Sequence, residues 1–337
     1  MRAIGFYSPQ RIDAQDALVE IELPTPQLSE HDLLVRVQAI SVNPVDVKLR
    51  ASAHPPEGQA RILGYDAVGI VEATGPGTRH FKKGDAVFYA GALDRPGTYA
   101  ELHAVDERIV GRKPETLDAA HAAALPLTSL TAWELLFDRL KVPYGPQFSN
   151  HAILIINGAG GVGSILIQMA RRLTGLTVVA TASRMETIAW CREMGAHHVI
   201  DHHRSLEEGL KAIGIPEVRY VAGLSATDRH QESIIAVLAP QGALAMIDDP
   251  ARFDIVPFKS KSLSVHWELM FTRSLYNTAD LGAQGRILNE VGSLVDAGVL
   301  RTTFREDYGP ISAANLKRAH ATLESGRSIG KIVLSGF

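Results

Sequence analysis

The chain has 337 residues, of which 46% are hydrophobic and 21% are charged, and its formal net charge is −3. These values predict a soluble globular protein long enough for two domains. The lack of a basic patch argues against a nucleic acid or a membrane surface as partner. Because Cys191 is the only cysteine, an intrachain disulfide and a multi-cysteine zinc site are excluded. The start "MRAIGFYSPQ" has no signal-peptide core, so we expect a cytoplasmic location.

The first part of the chain, about 125 residues, predicts a compact and mostly β domain. Short β-like runs such as "DLLVRVQAISV", "AVGIVEATG" and "DAVFYAG" are separated by turns that contain Gly and Pro.

The stretch "AILIINGAGGVGSILIQMARRLTG" has no charge over residues 152–170, which is about the length that spans a bilayer. Its internal layout argues against a membrane anchor. The apolar run Ala152–Ile156 is typical of a buried parallel strand, and a cluster of glycines follows it. Ile165, Met169 and Leu173 then repeat at helical spacing. The stretch therefore predicts a strand, a turn and a helix.

The glycines of this turn have the spacing Gly-x-Gly-x-x-Gly. Between a buried strand and a helix, that spacing is typical of a dinucleotide-binding turn. Glycines allow the backbone to approach a pyrophosphate, and the N–H groups at the start of the helix bind the phosphates. A glycine turn without a ligand is the alternative. The predicted cofactor-binding residues of the turn are Gly158, Gly160, Gly161, Val162 and Gly163.

The end of the next predicted strand, residues 177–182, indicates which dinucleotide binds. A site for NAD usually has Asp or Glu here, bound to the ribose 2′-hydroxyl. This chain has Ser183 and Arg184 instead, and a hydroxyl with a guanidinium suits the 2′-phosphate of NADPH. In the alternative interpretation, Ser183 is only a helix N-cap and Arg184 an exposed residue of the first turn.

Strand and helix signals continue to alternate as far as Asp248, which predicts a doubly wound parallel sheet. Ser205 and Glu208 form a possible capping box, and residues 218–224 and "ALAMID" are predicted strands. Two amphipathic helices near the end of the chain, around residues 286–297 and 312–325, precede a final strand "KIVL".

Several landmarks together carry a resemblance over nearly the whole chain: "SVNPVDVKLR", "ILGYDAVGIVEATGPG", "FKKGDAVFYAG", "GTYAEL", "AALPLTSLTAWELL", "GAGGVG", "MGAHHVID" and "GKIVL". The sequence resembles the medium-chain dehydrogenase/reductase superfamily, in its zinc-free quinone oxidoreductase branch. Through "HWELMFTRS" it is similar to a bacterial group often labelled zinc-type alcohol dehydrogenase-like.

The resemblance implies an α/β architecture with a GroES-like, mostly-β catalytic domain and a Rossmann domain with a doubly wound parallel sheet. The implied limits are residues 1–127 with 268–337 for the catalytic domain and 128–267 for the NADPH-binding domain. It also implies a homodimer, which we expect to form through sheet edges such as "ALAMID".

The zinc label does not fit the residues that match the zinc-ligand positions of the family. Those positions hold Asn43, Tyr65 and Leu127, and Asp66 replaces a Glu. None of the three is a usual zinc ligand. The histidines of "GAHHVIDHH" are interpreted as surface or edge residues. We therefore expect no metal.

Without a Lewis acid, oxidation of a simple alcohol is difficult, because its hydroxyl proton must leave as the hydride does. Reduction of a quinone or an α,β-unsaturated carbonyl is easier, since conjugation spreads the incoming charge onto oxygen. Such a site needs a donor to the oxyanion and a source of a proton. A small-molecule quinone or enone is thus the expected substrate.

The predicted catalytic residues are Asn43, Tyr65 and Asp46. By resemblance Asn43 lies beside the nicotinamide, where its amide could donate to an oxyanion; turn chemistry before Pro44 is the alternative. Tyr65 could give a proton, and a structural tyrosine bonded to Asp46 is the equally good alternative.

Other site residues are suggested by resemblance or by composition. Thr131, in a family helix near the cofactor, and Lys331 of "GKIVL" are predicted to bind the cofactor; a helix cap is the alternative for Thr131. Trp267, Met270 and Phe271 could form the wall of a substrate pocket, although such groups are more often core.

Three functions follow: an NADPH-dependent, zinc-independent quinone or enone reductase, which we favour, a zinc-type alcohol dehydrogenase, and an NADPH-binding sensor or structural protein with little turnover.

Overall fold

The computed structural model describes residues 1–145 and 150–337. The described chain forms two compact units, one made of Met1–Leu130 with Phe271–Phe337 and the other of Thr131–Met270. The catalytic and nucleotide-binding roles expected of them stay predictions.

The strands of the described residues are, in chain order, β1 (Arg2–Phe6), β2 (Val19–Glu22), β3 (Asp32–Ser41), β4 (Arg61–Ile62), β5 (Ala67–Thr74), β6 (Ala86–Tyr89), β7 (Leu102–Asp106), β8 (Val110–Arg112), β9 (Ala152–Ile156), β10 (Thr177–Thr181), β11 (His198–Ile200), β12 (Val218–Gly223), β13 (Leu238–Met246), β14 (Ser264–Trp267), β15 (Phe304–Asp307) and β16 (Lys331–Ser335).

The α-helices of the same residues are α1 (Pro44–Ser52), α2 (Ala119–Ala123), α3 (Pro126–Trp133), α4 (Gly161–Leu173), α5 (Met185–Glu193), α6 (Leu206–Ala212), α7 (Gln231–Val237), α8 (Thr272–Leu275), α9 (Ala283–Asp296) and α10 (Ala313–Glu324). Short 3-10 turns occupy Glu107–Ile109, Thr227–His230 and Val256–Lys261, and a π-helical turn occupies Glu134–Arg139.

The first unit contains a three-stranded sheet, in the order β2-β1-β4, and a larger sheet in the order β15-β16-β3-β5-β6-β8, with β7 also paired to β3. Most neighbours are antiparallel, and β15 with β16 is a parallel pair. The inner strand β3 is long and mostly buried because its neighbours cover it on both edges. This architecture confirms the mostly-β domain that the sequence predicts.

The second unit is built on a parallel sheet in the order β11-β10-β9-β12-β13-β14. Numbered within the unit, this order is 3-2-1-4-5-6, which is that of the Rossmann fold. The central strands pair in register, with Leu154 opposite both Val179 and Val221. These three side chains are fully buried, as the continuous apolar run in the sequence predicts. The predicted doubly wound sheet is confirmed.

The segment "ALAMID" is not an edge of this sheet, so the prediction that it forms an edge is wrong. Its residues 243–246 belong to β13, which lies between β12 and β14. Strand β14 is the edge, and it escaped prediction because it has only four residues and no continuous apolar run. The homodimer itself stays a prediction.

Helix α4, which contains much of the long uncharged stretch, is only 13 residues long and has Arg171 and Arg172 in its last turn. Among the described residues, none of the helices has the length and apolar character needed to cross a membrane.

Candidate functional site

The glycine turn follows the carboxyl end of β9, as predicted. Asn157 has a left-handed backbone conformation, with φ of 63°, and α4 begins at Gly161 with Gly160 as its N-cap. The turn is tied to the end of β10 by two hydrogen bonds. The N–H of Asn157 donates to Oγ1 of Thr181 and that of Gly158 to its carbonyl oxygen, each over 3.0 Å.

The space available for a side chain differs between the glycines of the turn. A Cβ atom on Gly163 would lie 2.6 Å from the carbonyl oxygens of Asn157 and Gly158, so the helix could not approach the strand so closely. A Cβ atom on Gly160 would meet nothing closer than 3.4 Å. Protein packing therefore requires glycine at position 163 but leaves room for a side chain at position 160. The first-turn residues Gly161 and Val162 are half-buried.

Arg184, not Ser183, is the N-cap of α5. The Thr187 hydroxyl accepts a hydrogen bond from the Arg184 N–H and donates one to its carbonyl oxygen, over 3.1 and 2.8 Å. The alternative that Ser183 is only an N-cap is therefore wrong, because Thr187 moves the start of the helix one residue further on. The Arg184 guanidinium lies 3.2 Å from Glu186 Oε1, and both side chains are exposed. Such a pair is weak.

The histidines that follow β11 lie at the same edge of the sheet. His202 Nδ1 is 3.2 Å from Oγ1 of Thr181, and its ring contacts that of His203. Burial, with the nearby His203, lowers the pKa of His202. Among the described residues no three His, Cys, Asp or Glu side chains are placed to hold a metal ion.

In the first unit, Asp66 is the centre of a buried polar network. Its Oδ1 accepts from the N–H of Leu127 over 2.7 Å, which caps the start of α3. Its Oδ2 accepts from Ser41 Oγ, from Asn43 Nδ2 and from Lys331 Nζ, over 2.7, 2.7 and 3.1 Å. The network therefore contains a buried carboxylate with a buried ammonium.

The amide of Asn43 is used inside this network. Lys331 donates to Asn43 Oδ1 and to the carbonyl oxygen of Val42. Because an ammonium can only donate, Oδ1 must face it, and the amide nitrogen then donates to Asp66 and, over 3.4 Å, to the Ser41 carbonyl. The amide nitrogen is therefore directed into the network, which gives no support to the prediction that it donates to an oxyanion. Asn43 is the N-cap of α1, in line with the turn chemistry considered above.

Asp46 is completely buried near the start of α1 and does not face solvent. Its Oδ2 accepts from the Asn43 N–H over 2.7 Å, and its Oδ1 accepts from the Gly64 N–H over 2.9 Å. Burial raises the pKa of Asp46 to about 7, although these two bonds and the Lys331 ammonium oppose the rise. An aspartate that titrates near neutral pH is suited to proton transfer.

Tyr65 is fully buried, and its hydroxyl has no hydrogen-bond partner among the described residues. The alternative of a structural tyrosine bonded to Asp46 is therefore wrong. Its ring meets the edge of Phe271, with ring centroids 5.3 Å apart. Burial, with the nearby Asp46 charge, raises the pKa of Tyr65, and Arg61 opposes the rise. The hydroxyl thus stays protonated at neutral pH and has a hydrogen to donate.

These contacts test whether zinc fits. The family's three ligand positions hold an amide occupied by Asp66 and Lys331, a phenol and the aliphatic side chain of Leu127. The nearest carboxylate, Asp66, already accepts four hydrogen bonds, one of them from a cation. The residues do not fit a zinc ion.

The remaining predicted residues are placed as follows. Thr131 is buried inside α3 rather than at its start, so its alternative role as a helix cap is wrong. Met270 is buried, whereas Trp267 ends the edge strand β14 and is 56% exposed. Within the first unit, Phe271 contacts Tyr65 and Lys331 contacts Asn43. Asp66 was noted only as a replacement in the sequence, and its central position was missed.

Both units contain residues that match known protein families. Residues 29–115 match the family model described as "Alcohol dehydrogenase GroES-like domain", and residues 194–334 match "Zinc-binding dehydrogenase". A zinc-type alcohol dehydrogenase-like protein of Staphylococcus aureus (strain MSSA476) is 39% identical, over 99% of this chain and 100% of its own length. The chain belongs to the medium-chain dehydrogenase/reductase superfamily, in its quinone oxidoreductase branch.

Other members of the superfamily extend the comparison. The NADPH-dependent alkenal/one oxidoreductase of Arabidopsis thaliana chloroplasts is 36% identical, over 94% of this chain and 75% of its own length. The crystal structure of a candidate zinc-dependent alcohol dehydrogenase from Rhizobium etli CFN 42 matches with a TM-score of 0.96 and 54% identity, over 100% and 98% of the two chains. Escherichia coli quinone oxidoreductase complexed with NADPH matches with a TM-score of 0.84 and 26% identity, over 99% and 100%.

Proposed function

We propose that this superfamily member is an NADPH-dependent, zinc-independent oxidoreductase that transfers a hydride to a quinone or an α,β-unsaturated carbonyl. The observation that carries the proposal is the environment of the Tyr65 hydroxyl. Tyr65 occupies a family zinc-ligand position, and its buried hydroxyl has no partner among the described residues. A buried hydroxyl without a partner is costly, so a ligand oxygen at this place would satisfy it.

NADPH fits the second unit, where it would be held by the glycine turn, with its 2′-phosphate at Ser183 and Arg184. The open space at Gly160 and the first turn of α4 suit a pyrophosphate. NADPH supplies the hydride when bound. Two relatives support NADPH: the Arabidopsis enzyme is named NADPH-dependent, and the E. coli structure contains it.

At the acceptor end, Tyr65 donates its hydroxyl proton to the substrate oxygen on which charge develops. Its raised pKa keeps the hydroxyl protonated at neutral pH, so a proton is present to be transferred. Asp46, which titrates near neutral pH and whose charge acts on Tyr65, is assigned the role of returning the proton. Asn43, Asp66 and Lys331 act as positioning residues, since they hold the start of α1 and with it Asp46.

The experiment is NADPH oxidation with 1,4-benzoquinone, 9,10-phenanthrenequinone, an alkyl enone and a simple aldehyde, each with and without a chelator. The proposal expects turnover of a quinone or enone that the chelator does not change. Activity restricted to alcohols and aldehydes and lost with the chelator would favour the zinc-type dehydrogenase. Tight NADPH binding without turnover would favour the sensor. The homodimer and the cytoplasmic location remain predictions of this proposal.

A further inference from the structure

A group of buried polar side chains lies between the Tyr65 region of the first unit and a cleft on the surface of the same unit. We call it the α1/α10 seam, and its members are Asp46, Tyr99, His320, Arg50 and Glu324. Helices α1 and α10 pack together. Asp46 and Arg50 lie one turn apart on α1, and His320 and Glu324 lie one turn apart on α10. The seam therefore runs along the interface of the two helices.

The inner end of the seam is organised by Gly64, which has a φ of 107°. Its N–H donates to Oδ1 of Asp46, and a Cβ atom placed on it would lie 2.5 Å from Cδ1 of Tyr99. Tyr65 is the next residue. Gly64 thus brings the Asp46 carboxyl group, the Tyr99 ring and Tyr65 to one point, and any larger residue would separate them.

The middle of the seam is a pair of fully buried side chains. The Tyr99 hydroxyl lies 3.2 Å from Nε2 of His320, and both residues have no exposed surface. Nδ1 of His320 is buried and has no hydrogen-bond partner among the described residues. Burial, with the charge of Arg50, lowers the pKa of His320 to about 3, so its ring is neutral. A neutral imidazole can accept a proton at one nitrogen while it gives one from the other.

The outer end of the seam opens to solvent. Arg50 donates to Glu324 and to the carbonyl oxygen of Gln10, and its Nε is buried without a partner among the described residues. Arg50 and Glu324 line a cleft of about 590 Å³, together with Arg11 and Asp13. The Glu324 side chain is 33% exposed. Buried polar atoms without a protein partner are usually bonded to water, and Arg50 Nε and His320 Nδ1 are two such atoms in one seam.

We propose that the α1/α10 seam is a proton path that reprotonates Tyr65 from solvent after each turnover. The proposal rests on the proposed function, because only a reduction that consumes a proton needs such a path. Arg50 does not carry the proton, since its guanidinium is always protonated. It holds Glu324 at the entrance and keeps His320 neutral. Tyr99 and His320 are positioning residues in this scheme, not catalytic ones.

The proton balance is as follows. The acceptor takes a hydride from NADPH and a proton from the Tyr65 hydroxyl, and Asp46 returns a proton to the Tyr65 oxygen. Tyr99 gives its hydroxyl proton to Asp46 and takes one from Nε2–H of His320, which accepts one at Nδ1 from the solvent side. This leaves His320 in its Nδ1–H form, and conversion back to the Nε2–H form completes the cycle. One proton leaves solvent for each NADPH that is oxidised. The charged and titratable groups that face Asp46 are Asp66, Lys331, Tyr65 and Tyr99. Those that face His320 are Arg50 and Tyr99.

The test follows the protonation of Asp46 directly, so it does not depend on turnover. The infrared C=O band of the protonated Asp46 carboxyl group is recorded after a fast pH jump across neutrality, and its absence in Asp46→Asn assigns it. We expect Tyr99→Phe to slow protonation by about 10- to 100-fold, because it removes the hydroxyl from the path. We expect the same slowing in a second variant, His320→Gln. It keeps the path testable if Tyr99→Phe does not fold.

The chain offers a matched control. Tyr89 and His103 form another fully buried pair, with the Tyr89 hydroxyl 3.1 Å from Nδ1 of His103, and neither belongs to the seam. Tyr89→Phe removes the same atom from the same kind of pair and should leave the protonation rate unchanged. Wild-type rates in both seam variants, or equal slowing in Tyr89→Phe, would overturn the path. An Asp46 band that does not titrate would also overturn it. Failure of the proposed function appears separately, as absence of quinone and enone turnover in the wild type.

Discussion

Lys331 Nζ and Asp66 Oδ2 lie 3.1 Å apart, and the two side chains are 3% and 0% exposed. The ammonium makes its other hydrogen bonds to Asn43 and to the Val42 carbonyl, so one cation organises the residues around the start of α1. A buried pair of this kind is stabilising only while both partners are present.

Lys331→Met should lower the free energy of unfolding by about 3–5 kcal/mol, because it leaves the Asp66 charge buried without its cation. Chemical denaturation measures the change. The double variant Lys331→Met with Asp66→Asn removes both charges and should recover part of the loss. An exposed lysine supplies the control, since Lys83→Met should change stability by less than about 0.5 kcal/mol. If Lys331→Met and Lys83→Met changed the free energy of unfolding equally, the buried pair would have no special role.

Gly163→Ala and Gly160→Ala should separate folding from cofactor binding. The Cβ atom on Gly163 would meet two carbonyl oxygens at 2.6 Å, so this variant should lose stability in thermal melts. Gly160→Ala has room within the protein and should fold normally, yet bind NADPH at least about 10-fold more weakly because the methyl group occupies the pyrophosphate position. Normal NADPH affinity in Gly160→Ala would contradict the placement of the cofactor.

Arg184 and Glu186 provide a paired test of cofactor choice. Arg184→Ala should raise the KM for NADPH by about 10-fold and leave the KM for NADH nearly unchanged, because only NADPH has the 2′-phosphate. Glu186→Gln removes the carboxylate that lies 3.2 Å from the guanidinium, and it should lower the KM for NADPH modestly. Steady-state kinetics with both cofactors measures the two effects. If Arg184→Ala changed both KM values equally, the proposed phosphate contact would be wrong.

Tyr65→Phe should decrease kcat by about 10²- to 10⁴-fold, the usual contribution of a positioned proton donor. The affinity for NADPH and the melting temperature should change little, since the hydroxyl has no protein partner among the described residues to lose. Turnover, fluorescence titration and thermal melting test the three statements. A large loss of stability with unchanged kcat per folded molecule would make Tyr65 a structural residue.

The raised pKa of Asp46 predicts how both stability and activity depend on pH. In the folded protein this pKa is about 7, above the ordinary value of 3.8, so the folded state holds this proton more tightly than the unfolded state does. Its contribution to stability is therefore complete below about pH 4 and is lost as the pH rises to about 7. The kcat should likewise fall above neutral pH, because Asp46 has then lost the proton that it would return to Tyr65. Asp46→Asn should remove both dependences, and a wild-type profile that is flat between about pH 6 and pH 8 would contradict the assignment.

Local patterns allowed much of this molecule to be predicted from its sequence. The glycine turn could be located because the strand, the turn and the helix are contiguous, and each has its own periodicity. The polar network could not be located, because Lys331 and Asp66 are 265 residues apart and no local signal joins them. Sequence resemblance pointed to Asn43 as part of a site, but its hydrogen-bond partners, and hence its role, depend on that distant lysine.

Smaller errors have similar causes. Ser183 and Glu186 have the spacing of a capping box, yet the Thr187 hydroxyl satisfies the backbone and moves the start of α5. Strand β14 is too short and too polar to be recognised, so the preceding strand was taken for the edge of the sheet. The first error comes from a competing contact and the second from a weak local signal.

The position of Lys331 also matters during synthesis. Strand β16 begins with this lysine and pairs antiparallel with β3, which was made nearly 300 residues earlier. Until that strand leaves the ribosome, Asp66 and Asn43 lack their cation, and α1 lacks the support of the finished network. We expect a nascent chain to form the parallel sheet of its second unit first and to complete the Tyr65 region last. A shortened translation product that ends before β16 would then fold in part, but without a complete polar network around Asp66.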